Sequence, residues 1–191
     1  MNSASDDRRG RILDASERLF AEDGFDATAT ARIAGTARVP KGLIFYYFPR
    51  KIDILLTLLE ERLPRTPLCR PEDVVSEGDP AGSLVRLERR LGLDRHESLT
   101  LREVIFRESG THPEVRERLR LLRDGLLELT EAVLEKSVGR ALDPKLRRQA
   151  AQTFVAVMLD RANARRFGGA GPDLEGAARI VSLALGGTGF A

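Results

Sequence analysis

The chain has 191 residues, of which 42% are hydrophobic and 31% are charged, and its formal net charge is +2. This is the ordinary composition of a soluble globular protein of one or two domains. The single cysteine, Cys69, excludes an internal disulfide framework and fits a reducing cytoplasm. No apolar run approaches the length of about 18 residues that a membrane span needs, and no signal-peptide pattern is present, so we expect a cytoplasmic protein with no membrane partner.

The N-terminal region predicts one helix followed by a pair of shorter helices. Residues 1–7 are predicted to be a disordered arm, and the first helix, capped by Ser5 or Asp6, ends at Gly24. Residues 28–51 predict two short helices joined by a sharp turn. Their apolar positions follow helical spacing, with Ile33, Ala34 and Ala37 in the first helix and Val39, Ile44 and Phe48 in the second. Such a pair forms a helix-turn-helix unit, whose second helix can enter the major groove of DNA.

The charge of this region also favours DNA. Residues 27–52 contain five basic side chains and no acidic one: Arg32, Arg38, Lys41, Arg50 and Lys51. Basic side chains neutralise phosphates and release counterions, which supplies most of the non-specific affinity for DNA. Hydroxyl groups add donors for phosphate oxygens at Thr28, Thr30, Tyr46 and Tyr47. The alternative is a solvated basic face on an ordinary helical hairpin, and we consider DNA binding the better interpretation.

The segment RILDASERLFAEDGFDATATARIAGTARVPKGLIFYYFPRKIDIL resembles the N-terminal domain of the tetracycline-repressor (TetR) family of bacterial transcription regulators. The matching motifs are the paired IA at Ile33-Ala34, the VPKG at residues 39–42 and the YYFPRK at residues 46–51. The resemblance covers about the first third of the chain. It implies a three-helix DNA-binding domain, placed at residues 1–54, and an effector-binding and dimerisation bundle at residues 55–191. The elements predicted along the whole chain make an all-α protein of about nine helices.

The sequence departs from the family pattern at five positions in and beside the second short helix, one of which is Tyr47, where a histidine is common. Arg38 replaces the turn glycine, so a non-glycine residue would adopt a left-handed conformation at a cost of about 1–2 kcal/mol. Pro40 replaces a usual serine, Leu43 a threonine and Phe45 a tyrosine, and each change removes a hydroxyl group. Leu43 could contact a thymine methyl group or could belong to the core. The candidate DNA-binding residues are Thr28, Thr30, Arg32, Arg38, Lys41, Gly42, Leu43, Phe45, Tyr46, Tyr47 and Lys51.

The rest of the chain predicts further helices and no strand. A fourth helix at residues 51–63 is followed by a proline-rich loop at residues 64–79. Helices are then predicted at 79–93, 99–109, 143–167 and 172–185, and a longer one is predicted from a capping box at residues 111–114 to about residue 138. The helix at 143–167 is apolar on two sides and must therefore be covered on two sides.

The resemblance implies that the last two helices pair with those of a second copy, which would match two recognition helices to a palindromic operator. The candidate dimer interface comprises Ala151, Val155, Met158, Leu159, Ala162, Ala177, Ile180, Val181 and Ala184.

The resemblance also implies a pocket for a small apolar effector whose binding releases DNA. The candidate lining residues are Leu87, Leu91, Arg102, Phe106, Leu122 and Leu126. Each of these apolar residues could equally be plain core.

No cofactor, metal or catalytic site is predicted. His96 and His112 are not at metal-ligand spacing from each other or from cysteine, and Cys69 has no histidine nearby in the sequence. The predicted function is therefore a homodimeric, DNA-binding transcriptional regulator, most simply a repressor. The alternatives are a helical ligand-binding protein with a degenerate DNA module and, with less support, an all-α enzyme.

Overall fold

The described residues of the chain form eight α-helices and one short 3-10 turn. The structure is a computed structural model, and it describes residues 3–62, 69–93, 107–164, 169 and 171–186. The helices are α1 (Ser3–Asp23), α2 (Thr30–Ala37), α3 (Lys41–Tyr47), α4 (Lys51–Arg62), α5 (Pro80–Leu91), α6 (Pro113–Val138), α7 (Pro144–Asn163) and α8 (Leu174–Gly186), and the 3-10 turn is Pro71–Asp73. Residues 107–109 are also helical. The all-α prediction is confirmed.

The helix boundaries follow from local chemistry at most ends. Gly24 follows α1 at a φ of 94°, a conformation that glycine adopts without steric cost. Asp79 and Asp143 accept hydrogen bonds from the Gly82 and Leu146 amides, and so cap α5 and α7 just before the proline that begins each helix. The predicted disordered arm is wrong from residue 3 onward, because α1 begins at Ser3.

The described residues fall into two compact units. The first contains residues 3–62 and 107–119, and the second contains residues 69–93, 120–164, 169 and 171–186. The first unit has a core of fully buried side chains from α1 to α4, together with Val115. Its members include Ile12, Leu13, Phe20, Phe25, Ile33, Ile44, Phe48, Ile54, Leu55 and Leu58. This core places α2 and α3 on a fixed support.

The segment at residues 107–119 belongs to the first unit for identifiable reasons. Val115 is completely buried in its core, and Leu119 packs against that core. The Arg107 guanidinium donates a hydrogen bond to the carbonyl oxygen of Phe20, at the end of α1, over 3.2 Å. The His112 ring lies edge-on to the Phe25 ring, with 5.0 Å between the centroids. Residues 107–119, although distant in sequence, therefore pack against the C-terminal end of α1 and the turn that follows it.

The second unit has its own apolar core, in which α8 packs against both α5 and α7. Most of the predicted helix at residues 99–109 lies outside the described residues. The predicted helix at 143–167 ends at Asn163, and residues 165–168 are likewise not described.

Candidate nucleic-acid interface

The turn between α2 and α3 is held by a left-handed residue. Arg38 has φ 54° and ψ 50°, which confirms the conformation predicted for the missing turn glycine. Its amide donates to the Gly35 carbonyl over 3.2 Å, and the Val39 amide donates to the Ala34 carbonyl over 3.0 Å. These two bonds form a Schellman motif, which satisfies carbonyl groups at the end of α2 and fixes the direction of the chain entering α3.

The core fixes which side of α3 faces outward. Ile44 is completely buried, and Phe48, the residue after the helix, is 3% exposed. Phe45 and Tyr46 are 46% and 77% exposed, so two aromatic side chains point away from the core. Leu43, between Gly42 and Ile44, is half-buried.

The first turn of α3 is also open to a partner. Lys41 and Gly42 are exposed, and a Cβ atom added to Gly42 would meet nothing within 4 Å. The packing of this chain therefore does not require glycine at position 42. A partner that approaches the backbone closely would require it, because glycine has no Cβ atom. Pro40 lies just before α3 as its N-cap, with φ −59° and ψ 138°. The outward face of α3 thus presents exposed backbone at Gly42, the Lys41 side chain and two aromatic side chains.

The five basic residues of this region are not equivalent, because two of them form ion pairs with acidic residues that lie outside residues 27–52 in the sequence. Arg32 forms an ion pair with Asp23, with 2.5 Å between nitrogen and oxygen. Arg50 donates from Nε and Nη2 to Asp53, over 3.0 and 2.6 Å, and the hydrogen bond to Arg50 holds the pKa of the Asp53 carboxyl below its usual value. Within residues 3–62 and the other described ranges, Arg38 and Lys41 form no ion pair. These two charges are the ones available to phosphates.

The prediction that Lys51 holds a DNA phosphate is contradicted by its contacts. Its ammonium group donates to the carbonyl oxygens of Phe25, Asp26 and Thr28, over 2.7, 3.1 and 3.3 Å. It also lies 4.5 Å from the centroid of the Phe25 ring. An ammonium group has three hydrogens. Because all three are directed at the turn between α1 and α2, Lys51 fixes that turn instead of reaching outward.

The prediction for Thr28 is also wrong. Thr28 is completely buried, and its hydroxyl lies 2.6 Å from the Gly24 carbonyl and 3.2 Å from the Leu19 carbonyl. The hydroxyl satisfies the C-terminal end of α1, where carbonyl groups lack helical partners. Thr30, which begins α2, is partly exposed, and Tyr47 is half-buried against the core. Both remain candidates for a phosphate contact.

A basic cleft adjoins the turn between α2 and α3. It is lined by Arg11, Asp14, Ala15, Arg18, Thr36, Ala37 and Arg38. Arg11 and Arg18 form ion pairs along α1 with Asp7 and Glu22, over 3.4 and 4.0 Å, which leaves Arg38 as the arginine of this cleft without an ion pair among the described residues. The sequence did not single out Arg18. Its helical spacing of seven from Arg11 is the signal that could have done so.

The comparisons with known proteins agree with this geometry. Residues 12–58 match the family model described as bacterial regulatory proteins, tetR family, and this range contains α2, α3 and the turn between them. This N-terminal segment of the chain is thus similar to the TetR family. The transcriptional repressor AcnR of Corynebacterium diphtheriae is 28% identical over 182 residues, which cover 92% of this chain and 88% of that protein. The fatty acid metabolism regulator protein of Bacillus subtilis is 26% identical over 147 residues, covering 73% and 75%.

A solved relative extends the likeness in fold. A TetR transcription regulator from Haloarcula marismortui superposes with a TM-score of 0.65 at 18% identity, over 95% of this chain and 97% of that one. The matched family and the relatives AcnR and the fatty acid metabolism regulator are transcription regulators, and this similarity identifies the chain as a DNA-binding transcription regulator rather than an enzyme. The α-helices within the described ranges include none long and apolar enough to span a membrane.

The structure corrects much of the predicted dimer interface. Five of the residues assigned to it are buried in the core of their own chain: Ala151, Val155, Met158, Ala162 and Val181. The apolar faces of α7 are covered by helices of the same unit, so its two-sided pattern does not require a second copy. Leu159 and Ala177 are partly buried, whereas Ile180 and Ala184 are exposed.

The two most exposed large apolar side chains among the described residues of the second unit lie on α8, and one of them was missed by the sequence reasoning. Ile180 is 68% exposed and Leu183 is 75% exposed, and Ala184 lies beside them at helical spacing. The spacing of three from Ile180 is the signal that could have identified Leu183.

The candidate effector residues divide into two groups. Leu87, Leu91 and Leu126 are buried in the second core, and Leu122 packs against it. Arg102 and Phe106 lie outside the described residues. The structure therefore brings four of the six residues together in one core.

Proposed function

We propose that this chain is a cytoplasmic homodimeric repressor, which binds a palindromic operator through α3 and releases it when a small apolar effector binds. The observation that carries the proposal is the outward face of α3. Tyr46 is 77% exposed beside Phe45, while Lys41 and Arg38 form no ion pair within the described part of the chain. Large exposed aromatic side chains next to free cations are typical of a surface that binds a polyanion.

Each of these side chains suits one kind of DNA contact. Lys41 and Arg38 can neutralise phosphates or donate to guanine in the major groove. The Tyr46 hydroxyl can donate to a phosphate oxygen, and the Phe45 ring can contact a thymine methyl group. A binding site on DNA should therefore include thymines where Phe45 approaches the bases.

Selection of genomic DNA fragments by the purified protein tests this proposal. We expect enrichment of fragments with two inverted half-sites whose centres are about one helical turn, roughly 34–36 Å, apart. Tyr46→Ala should weaken the enrichment without unfolding the protein, because the side chain is exposed. Lys145→Ala, which removes an exposed charge from α7, is the matched control and should select the same fragments. Recovery of random fragments by the wild-type protein would contradict sequence-specific binding.

The exposed apolar surface of α8 supports dimerisation. A two-fold axis would bring Ile180, Leu183 and Ala184 of both copies together and remove them from water. Leu183→Glu should therefore yield a folded monomer, since the side chain is not part of the core. Lys145→Glu changes an exposed charge elsewhere and should leave the dimer intact. Sedimentation of the wild-type protein as a monomer at micromolar concentration would rule this arrangement out.

The effector component of the proposal has a thermodynamic test. An effector releases DNA only if it prefers the conformation that binds DNA poorly, and the antagonism must be reciprocal. Saturating operator should thus weaken effector binding by about 5–150-fold. Calorimetric titrations of an apolar ligand with and without operator measure this factor. Equal affinities in the two titrations would rule out the antagonism.

A second candidate is a helical ligand-binding protein whose DNA module no longer works. The replacement of family hydroxyl groups by Pro40, Leu43 and Phe45 favours it, because these side chains cannot donate to DNA. This alternative predicts ligand binding by a protein that selects no fragment at any salt concentration. The fragment selection above separates the two functions.

A further inference from the structure

Three potential metal ligands from two distant parts of the chain meet at the end of α1. They are Asp26, in the turn after α1, Glu108, and His112, just before α6. One ligand atom from each residue lies within 4.8 Å of the other two. All three residues belong to the first compact unit.

The ligand atoms of Glu108 and His112 are already close to metal-binding geometry. Glu108 Oε2 lies 3.5 Å from His112 Nε2. In a tetrahedral zinc site with bonds of about 2.0–2.1 Å, neighbouring ligand atoms lie about 3.3–3.4 Å apart. The Asp26 side chain is exposed, so it can close the remaining distance by rotating.

The Nε2 atom of His112 is a second and independent sign of a ligand. This atom is buried, and no group in the described part of the chain forms a hydrogen bond with it. A buried polar atom without a hydrogen-bond partner costs about 1–3 kcal/mol, and here the one close polar group, Glu108 Oε2, is itself a potential metal ligand. Contact with the Phe25 ring fixes the plane of the imidazole, with 5.0 Å between the centroids.

The neighbouring groups hold the carboxylate and the turn in place. The Arg107 guanidinium donates to Glu108 Oε1 over 3.0 Å, which leaves Oε2 directed towards His112. Thr111 Oγ1 lies 3.4 Å from Oε2, at the long end of hydrogen-bonding distance. Lys51 holds the backbone on both sides of Asp26 through its three carbonyl contacts. Such support for the residues that hold a metal typically determines its affinity.

We propose that Asp26, Glu108 and His112 bind one zinc ion, with water in the fourth position. Imidazole nitrogen and carboxylate oxygen are zinc ligands, and three protein ligands with an open fourth position form a recognised type of zinc site. The positive charges of Arg107 and Lys51 oppose the cation, whereas the two carboxylates attract it. Bound zinc would tie residues 108–112 to the turn that leads into α2.

The test is zinc titration of the full-length protein, freed of metal beforehand, with cobalt as a spectroscopic probe of the same site. We expect one zinc ion per chain and a melting temperature that rises with zinc concentration. Asp26→Asn and His112→Gln should each weaken zinc binding by roughly tenfold or more. Asp26→Asn replaces an exposed side chain, so its fold should be unchanged without metal, and circular dichroism verifies this.

Two further variants remove the other strong zinc ligands of the sequence. His96→Gln and Cys69→Ser should change the affinity by less than about twofold, since neither residue belongs to the site. The proposal is overturned if the wild-type protein binds no zinc at micromolar concentration, if Asp26→Asn and His112→Gln bind as tightly as the wild type, or if either control variant abolishes binding. Failure of this test leaves the DNA-binding proposal unaffected, because none of the three ligands lies on the outward face of α3.

Discussion

Lys51 gives the sharpest distinction between a structural and a DNA-binding role. Replacing it with methionine keeps most of the apolar stem and removes the ammonium group. The two part-buried hydrogen bonds of the three, to the carbonyl oxygens of Phe25 and Thr28, should each contribute about 1 kcal/mol, because water can partly replace them at this half-buried position. The contact with the Phe25 ring adds about 0.5–1 kcal/mol. The expected loss in the free energy of unfolding is therefore about 2–3 kcal/mol.

Thermal and urea unfolding, followed by circular dichroism, measure this loss. For a chain of this size, about 2–3 kcal/mol corresponds to a melting temperature lowered by roughly 5–10 °C. Lys145→Met is the control, since an exposed lysine away from such contacts should change stability by at most about 0.5 kcal/mol. If Lys51→Met leaves stability unchanged but weakens DNA binding at all sequences, Lys51 contacts a phosphate and the structural interpretation is wrong.

Two other substitutions test the supports of the helix-turn-helix. Arg38→Gly should raise the free energy of unfolding by about 0.5–1 kcal/mol, because glycine adopts the left-handed conformation without steric cost. The same substitution should weaken DNA binding if the Arg38 guanidinium contacts DNA. Unfolding titrations measure the first effect and DNA-binding titrations measure the second. Asp53→Asn keeps an acceptor for the Arg50 amide but loses the charge. The pKa of the Asp53 carboxyl is lower in the folded protein than in the unfolded chain. The ionised carboxylate therefore stabilises the fold above the unfolded pKa, and this contribution is lost as the pH falls through the folded pKa. When the free energy of unfolding is measured against pH, wild type and variant should converge in acid. A difference in stability that does not depend on pH would contradict this assignment.

The sequence predicted the features that depend on neighbouring residues. The spacing of Ile33, Ala34 and Ala37 identified the buried face of α2, and the missing glycine identified the strained conformation of Arg38. Both depend on contacts within a few residues. For the same reason, the family motifs at residues 39–51 were sufficient to locate α3.

The features that the sequence did not predict depend on contacts between distant residues. From the sequence, Lys51 is expected to be a free cation, but in the folded protein its ammonium group contacts carbonyl groups within residues 25–28. Val155 and Leu183 are both apolar residues on helices, and only the packing of α5, α7 and α8 shows that the first is core and the second is exposed. Glu108 and His112 are four residues apart, but Asp26 joins them only through the tertiary structure.

The salt dependence of binding to a selected operator tests the role of α3 most directly. The logarithm of the binding constant should fall linearly with the logarithm of salt concentration, with a slope of about −0.9 per phosphate contacted. Lys41→Ala should reduce this slope by about one and weaken binding to all sequences if the lysine contacts a phosphate, or cost about 1–3 kcal/mol at one base pair if it contacts a base. Lys145→Ala should retain the wild-type slope and affinity. If Lys41→Ala binds the operator as the wild-type protein does at every salt concentration, the outward face of α3 is not the surface that binds DNA.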